Sequence, residues 1–371
     1  MKFLVTGANG FVGKNLISTL EFLENTEIFR FDIDTDLSLL KKYTAECDFV
    51  FHLAGVNRPE NPEEFMKGNF GFTSVLLDSL IAAGNQAPVL ITSSIQAALD
   101  NPYGQSKKAG EDLLFQYGRD HGAEVFVYRM PNVFGKWCRP NYNSAVATFC
   151  HNIAGGLPIT VNDPARLMQL VYIDDVVSEL IRAAQGKANK NPDSGFCSIE
   201  PVYSVPLGRI AELLESFRAS RETLEVPDLS DPFINKLYAA YISYLPEGGF
   251  SYPLKMNVDD RGSFTEILRT ADRGQFSVNV AKPGITKGNH WHHTKNEKFL
   301  VVSGKGVIRF RRPDSEKVTE YFVSGDKLEV VDIPTGYTHH IENIGDTDLV
   351  TFIWCNECFQ ADRPDTYFLK V

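Results

Sequence analysis

Two groups of residues in this sequence carry chemistry. The first is Tyr103-Gly104-Gln105-Ser106-Lys107. A tyrosine and a lysine at i and i+4 share one face of a helix. An ammonium beside a phenol favours the phenolate and lowers its pKa from ~10. The tyrosine then becomes a competent acid or base near neutral pH. Ser93 and Ser94 lie just upstream, at the end of a predicted strand, and a hydroxyl from either would hold a substrate oxygen. Further upstream, Gly7-Ala8-Asn9-Gly10-Phe11-Val12-Gly13 forms a G-x-x-G-x-x-G turn between a predicted strand and a predicted helix. Such a turn lets the backbone and the positive end of a helix approach a pyrophosphate. Asp32 follows 19 residues after Gly13, at the end of the second predicted strand. A carboxylate there accepts hydrogen bonds from a ribose 2′-hydroxyl and repels a 2′-phosphate, which favours NADH over NADPH. Arg30 is close enough to complicate that preference.

The second group runs from Gly284 to Glu297 and contains His290-Trp291-His292-His293. On a strand His290 and His292 point to one face, because the side-chain period is two. Two imidazoles with the carboxylate of Glu297 suit zinc, iron, manganese or nickel. A fourth ligand is available in His339, after Pro334-Thr335-Gly336-Tyr337-Thr338. His293 and His340 each neighbour a proposed ligand, would face the other way on a strand, and read as non-ligands. Five of the eight histidines lie between His290 and His340, which sets this part of the chain apart. Cys355 and Cys358 form a lone C-x-x-C pair with no partner pair, and read as packing residues.

Elements must position these groups. Lys2 to Thr6, Phe29 to Ile33, Phe49 to Ala54, Val89 to Ser93 and Val125 to Arg129 read as short strands. Helical stretches such as Gly13 to Leu23 and Gly104 to His121 separate them. That alternation predicts an α/β fold, a doubly wound parallel sheet with helices on both faces. The texture changes at Leu245-Pro246-Glu247-Gly248-Gly249, a breaker-rich linker. Beyond it, Phe276 to Lys282, Phe299 to Val302, Gly306 to Arg311, Lys317 to Val323, Leu328 to Ile333 and Leu349 to Cys355 read as short strands with turns between them. This predicts an all-β barrel. The expected domains are 1–245 and 246–371.

Composition sets the bounds. The chain has 371 residues, 43% of them apolar and 23% charged, with a formal charge of −10. These values exclude disorder as the main state and oppose non-specific nucleic-acid binding. No apolar run reaches the ~18 residues that span a bilayer. The start has only three apolar residues after its lysine, which does not make a secretory signal. Six cysteines are too few for a disulfide scaffold, so a cytoplasmic enzyme with reduced thiols is expected.

The first 245 residues resemble the extended short-chain dehydrogenase/reductase family. The resemblance rests on the glycine turn, His52-Leu53-Ala54-Gly55, Ser94, Tyr103-x-x-x-Lys107, Arg129-Met130-Pro131-Asn132-Val133-Phe134-Gly135 and Val171-Tyr172-Ile173-Asp174-Asp175-Val176. It implies a catalytic triad of Ser94, Tyr103 and Lys107, with cofactor contacts at Gly7, Gly10, Phe11, Val12, Gly13, Asp32, Leu53, Ala54, Gly55 and Lys107. Only eight residues separate Ser94 from Tyr103, fewer than is usual in that family. Residues 284–304 match the first motif of the cupin superfamily, G-x5-H-x-H-x4-E-x6-G, and Gly325, Pro334, Gly336, His339 and Asn343 match the second. That resemblance implies His290, His292, Glu297 and His339 as metal ligands. Asp259-Asp260-Arg261-Gly262-Ser263-Phe264-Thr265-Glu266 is similar to a segment of the deoxysugar 3,5-epimerases, themselves cupins.

Over its whole length the sequence resembles the bifunctional capsular polysaccharide enzymes of the UDP-N-acetyl-L-fucosamine pathway. Asn57-Arg58-Pro59, Lys136-Trp137-Cys138 and the stretch from His290 to Arg311 carry this. The resemblance implies a UDP-linked 4-keto amino-deoxysugar as substrate, zinc in the barrel, NADPH as the reductant and a homodimer. It also points to Asn132, Arg261 and Lys287 as substrate residues. NADPH conflicts with the plain reading of Asp32, so NADH stays open. A reductase with a non-catalytic dimerisation barrel is the alternative function.

Overall fold

The computed structural model describes residues 1–371, which form two compact units. One comprises Met1–Glu215 and Pro232–Pro246, the other Ser216–Asp231 and Glu247–Val371. The second crossing near Ser216 adds to the linker expected at Leu245. Within the second unit, the backbone around Leu224 and Val226 hydrogen-bonds to that of Arg269, which ties the early segment to a barrel strand.

In the first unit six parallel strands lie in the order Glu27–Phe31, Lys2–Thr6, Phe49–His52, Val89–Ser94, Val125–Met130, Phe196–Cys197. Their near-continuous apolar runs suit strands covered on both faces. Phe3, Val5, Phe51, Leu90, Phe126 and Tyr128 face one buried cluster, while Leu4, Val50, Val89, Ile91 and Val127 face another. The order reverses between Lys2–Thr6 and Phe49–His52. In such sheets ligands bind beyond the carboxyl ends of the strands at that point. The glycine turn and the Leu53-Ala54-Gly55 segment both emerge there. The second strand runs Glu27–Phe31 rather than to Ile33, because Ile33 follows the turn-forming Asp32 and is fully exposed.

The second unit is antiparallel β. Six strands lie in the order Met256–Asp259, Gly262–Thr270, Gly274–Ala281, Leu349–Cys355, Glu297–Ser303, Val330–Ile333, and five in the order Val318–Ser324, Lys305–Arg311, Thr338–Asn343, Thr286–Trp291, Tyr367–Phe368. Ala281, Phe299, Ile308, Phe310, Ile341 and Leu349 build its core. This is the sandwich-like barrel expected of a cupin, with five strands beyond those read from apolar runs: Met256–Asp259, Gly262–Thr270, Thr286–Trp291, Thr338–Asn343 and Tyr367–Phe368. No helix in the chain is long and apolar enough to cross a membrane.

Candidate active sites

The dinucleotide turn is built by backbone contact. Gly7 holds φ +69°, and a Cβ on Gly13 would sit 2.2 Å from the Gly7 carbonyl oxygen, so the helix Phe11–Leu20 can pack down onto the turn only without side chains there. Its cap, Gly10, contributes no side-chain hydrogen bond, and no acidic residue occupies its first turn. The free N–H groups and the positive end of the helix dipole are therefore open to an anion without competition from a side chain of the helix. Asp32 lies beside this turn. Its Oδ2 accepts from the Asn9 N–H at 2.6 Å and its Oδ1 from the Ile33 N–H at 2.8 Å. Arg30 pairs with Glu21.

Tyr103 and Lys107 lie on the helix Pro102–His121, started by Pro102 and capped by the Asn101 side chain, which accepts from the Gly104 N–H. Lys107 is buried. Its ammonium donates to the Thr92 carbonyl at 3.3 Å and sits 5.9 Å from the centre of the Tyr103 ring. Burial draws Lys107 down to about 8. The Tyr103 phenol is not lowered, contrary to the sequence expectation: burial pushes it above its ordinary value, and hydrogen bonding with the Ser94 hydroxyl is what works the other way. Ser93 is engaged elsewhere: it is buried and donates to Glu111 Oε1 at 2.5 Å, beside the ion pair of Glu111 with Arg129. Gly55 keeps the lysine in place, since a Cβ there would stand 2.9 Å from both Lys107 Nζ and Asn69 Oδ1.

His52 is buried between Thr6 Oγ1 at 2.7 Å and Thr73 Oγ1 at 2.8 Å. Burial, with the Lys107 charge added, lowers it to about 3, so it is a neutral pin between strands and helix. Two asparagines escaped the sequence reading as site residues. Asn57 Oδ1 accepts the Tyr103 hydroxyl at 3.0 Å. Asn69 sits in a turn of π-helix, Met66–Gly71, where it bonds both the N–H and the carbonyl of Val56 and donates to Ser106 Oγ. A π-turn of this kind frequently marks a functional site.

In the barrel, His290, His292, Glu297 and His339 bring their ligand atoms within 4.8 Å of one another. A β-bulge at Asn289, whose φ is +62°, shifts the register so that His290 pairs with His339. The strand ends at Trp291, and His292 follows it on the same side of the cavity. Glu297 Oε2 lies 3.5 Å from His292 Nε2 and 3.2 Å from His339 Nε2. All three atoms are buried and none has a hydrogen-bond partner. The other nitrogen of His292, Nδ1, meets the Asp365 carbonyl and so carries the proton, which leaves a lone pair on Nε2. Lone pairs turned toward a carboxylate oxygen are unfavourable unless a cation lies between them. Burial, with the neighbouring His339, holds His290 down at about 4, so it too is a neutral imidazole. The donor set fits a divalent metal of the zinc kind.

The cavity beside this cluster has a volume of about 750 Å³, and Arg261, Lys287 and Lys295 line it. Arg261 is held by Asp259 through two hydrogen bonds. Lys287 donates to Ser263 O, Asn279 Oδ1 and Val280 O, which fills its donor capacity. Asn132 is exposed and donates to the Gln169 carbonyl. His293 packs against Trp291 and Tyr367, and His340 Nδ1 meets Asn289 Oδ1; neither joins the cluster. Cys358 is free. Cys355, also free, donates its thiol proton to Glu297 Oε1 at 3.2 Å, and burial pushes the thiol up so that it keeps that proton.

The first unit thus has a dinucleotide fold with a half-buried tyrosine beside a buried lysine, the second a barrel with a metal-type donor set. The chain belongs to the NAD dependent epimerase/dehydratase family, which it matches over residues 3–195, and residues 257–367 match the polysaccharide biosynthesis C-terminal domain. It is 46% identical to UDP-2-acetamido-2,6-beta-L-arabino-hexul-4-ose reductase of Pseudomonas aeruginosa, over all of this chain and 99% of that protein. The crystal structure of the capsular polysaccharide assembling protein CapF of Staphylococcus aureus is similar over the full length of both chains, at 52% identity and a TM-score of 0.94. The UDP-glucuronic acid 4-epimerase of Bacillus cereus, solved with NAD, shares the fold over 66% of this chain at 20% identity and a TM-score of 0.55.

Proposed function

We propose that this chain is a bifunctional UDP-sugar enzyme. In the barrel it inverts C3 of UDP-2-acetamido-2,6-dideoxy-L-4-hexulose; in the dinucleotide unit it reduces the C4 ketone to give UDP-2-acetamido-2,6-dideoxy-β-L-talose. The observation that carries the reading is that one chain holds two unrelated sites whose chemistries meet at a 4-keto sugar. The C3 proton of such a sugar is acidic because it lies beside the ketone. When bound, a divalent metal supplies Lewis-acid polarisation of that ketone and a reduced nicotinamide supplies the hydride. His290, His292, Glu297 and His339 would hold the metal. In the other unit the glycine turn binds the pyrophosphate and Asp32 orients the ribose. Ser94 holds the ketone oxygen, Tyr103 gives that oxygen its phenolic proton, and the Lys107 ammonium stabilises the phenolate left behind. Epimerisation precedes reduction, because reduction removes the acidity that epimerisation needs.

The hydride donor in this reading is NADH. Asp32, Asp34 and Asp36 crowd three carboxylates into five residues after the second strand, and the one nearby guanidinium, Arg30, is paired with Glu21. Asp36 caps the following helix by accepting from the Ser38 N–H, but Asp32 stays beside the turn, where a 2′-phosphate would meet its negative charge and a 2′-hydroxyl an acceptor. This departs from the NADPH implied by the resemblance.

The test is NMR in deuterium oxide, with enzyme and the UDP-linked 4-keto sugar but no nicotinamide. Deuterium should enter at C3 and stop entering when a chelator removes the metal. If reduction proceeds on added NADH while C3 never exchanges, the barrel has no epimerase role and the reading fails in favour of a reductase with an accessory barrel.

A further inference from the structure

The loop between two of the proposed metal ligands is held from the far end of the chain. It runs from His292 to Glu297, and its backbone N–H groups at His293, Thr294 and Lys295 all point at one side chain, Asp365. Asp365 Oδ1 accepts from His293 at 3.0 Å; Oδ2 accepts from Thr294 at 2.7 Å and Lys295 at 2.9 Å, and from the Thr294 hydroxyl at 3.1 Å. Three backbone N–H groups and one hydroxyl thus converge on a single carboxylate. The backbone carbonyl of the same residue takes the His292 Nδ1 proton. One residue therefore fixes the tautomer of His292 and the path of the chain that carries Glu297.

The residues that follow are fastened to the same neighbourhood. Tyr367 and Phe368 pair as a strand with Trp291 and His290, and the Leu369 N–H donates to the Asn289 carbonyl at 2.9 Å. The tail thus lies along the strand that supplies His290, and Asp365 closes the loop that follows it.

We propose that Asp365 is the positioning residue of the barrel's metal site, and that the C-terminal segment is a strap that sets how tightly the metal is held. The proposal rests on the reading of the histidine–glutamate cluster as a metal site. Groups that orient a ligand from behind commonly change metal affinity by about 10–100-fold when removed. Without the carboxylate three adjacent N–H groups lose their acceptor, and the loop keeps fastenings only near its ends, where the His292 carbonyl accepts from the Gly336 N–H and Asn296 exchanges hydrogen bonds with Asn356.

The test uses the full chain loaded with zinc, with metal affinity read by competition against a chromophoric chelator and geometry read from the visible absorption of the cobalt-substituted protein. Asp365→Asn keeps the shape but loses the charge and one acceptor; Asp365→Ala loses both acceptors. Affinity should fall stepwise from native to Asn to Ala, by about 10–100-fold at the end of the series, with an altered cobalt spectrum. Reduction of the 4-keto sugar in the other unit should be retained, and a native-like near-ultraviolet circular dichroism spectrum and cooperative thermal melt of the variant chain report that the barrel itself has folded. Should Asp365→Ala fail to fold, the Asn variant decides the matter by itself. Affinities within twofold of native, with an unchanged cobalt spectrum, overturn the proposal. A native chain that binds no metal at all overturns the metal-site reading instead, so the two failures are distinct.

Discussion

Tyr103 must give a proton to the substrate and be left as a phenolate, and the charge that tolerates this is the Lys107 ammonium. Burial lowers Lys107 to about 8, against an ordinary value of 10.5. In the folded enzyme the ammonium is therefore complete below that pH and lost as pH rises through it. Once it is neutral, the developing phenolate has no counter-charge. The kcat/KM of reduction should fall on the alkaline side with a midpoint near 8. Lys107→Arg, whose charge does not titrate in this range, should remove that limb even if it lowers the plateau. An alkaline limb that survives unchanged in Lys107→Arg would assign it to another group. Cys355 acts at the same scale in the other unit. Its thiol takes up Glu297 Oε1, leaving Oε2 alone to face the histidines. Cys355→Ala should weaken zinc binding by about 10-fold in the chelator competition while leaving reduction untouched.

At the scale of elements, the turn after the strand Glu27–Phe31 should decide the cofactor. Two unit charges about 4 Å apart near a protein surface repel by ~4 kcal/mol, and Arg30, the guanidinium on that strand, is paired with Glu21. NADH should exceed NADPH by at least about 10-fold in kcat/KM. The double change Asp32→Ala with Ile33→Arg should move the ratio toward NADPH, because Ile33 is fully exposed and an arginine there costs no packing. Equal use of the two cofactors by the native chain would remove Asp32 from the selectivity argument. The place of Asp32 beside the glycine turn was legible in the sequence because it depends on local order: strand, glycine turn, helix, strand, acid. The helix and strand boundaries were less so. Phe22, Leu23 and Ile33 are apolar yet exposed, and each drew a predicted element past its true end. The strand Thr286–Trp291 has no apolar run at all; glycine, asparagine and a bulge make it, and only its histidines marked it. Asn57 and Asp365 were not legible as site residues. Each meets its partner across 46 or 72 residues of chain, through contacts that no spacing rule encodes.

For the whole molecule, the proposed function requires two activities that stop independently. Each unit has its own core: clusters around Phe51 and Val50 in the first, and one around Phe299 and Ile308 in the second. Tyr103→Phe removes one hydroxyl from a side chain already packed against Phe65, so it should not disturb the fold of the first unit. It should abolish reduction, by at least about 100-fold as for loss of a general acid, and leave deuterium exchange at C3 at its native rate. His290→Ala removes the least buried of the four proposed ligands. It should abolish exchange and metal retention. It should also leave reduction of the already inverted 4-keto sugar intact, while reduction starting from the uninverted sugar stops. That last contrast separates the present reading from a reductase with an idle barrel, in which His290→Ala would change neither rate. Mixing the two variants should restore conversion of the uninverted sugar, because the C3-inverted ketone can leave one chain and be reduced by another. Recovery should follow the concentration of each variant, and its absence, with both single activities present, would mean that the intermediate is not released.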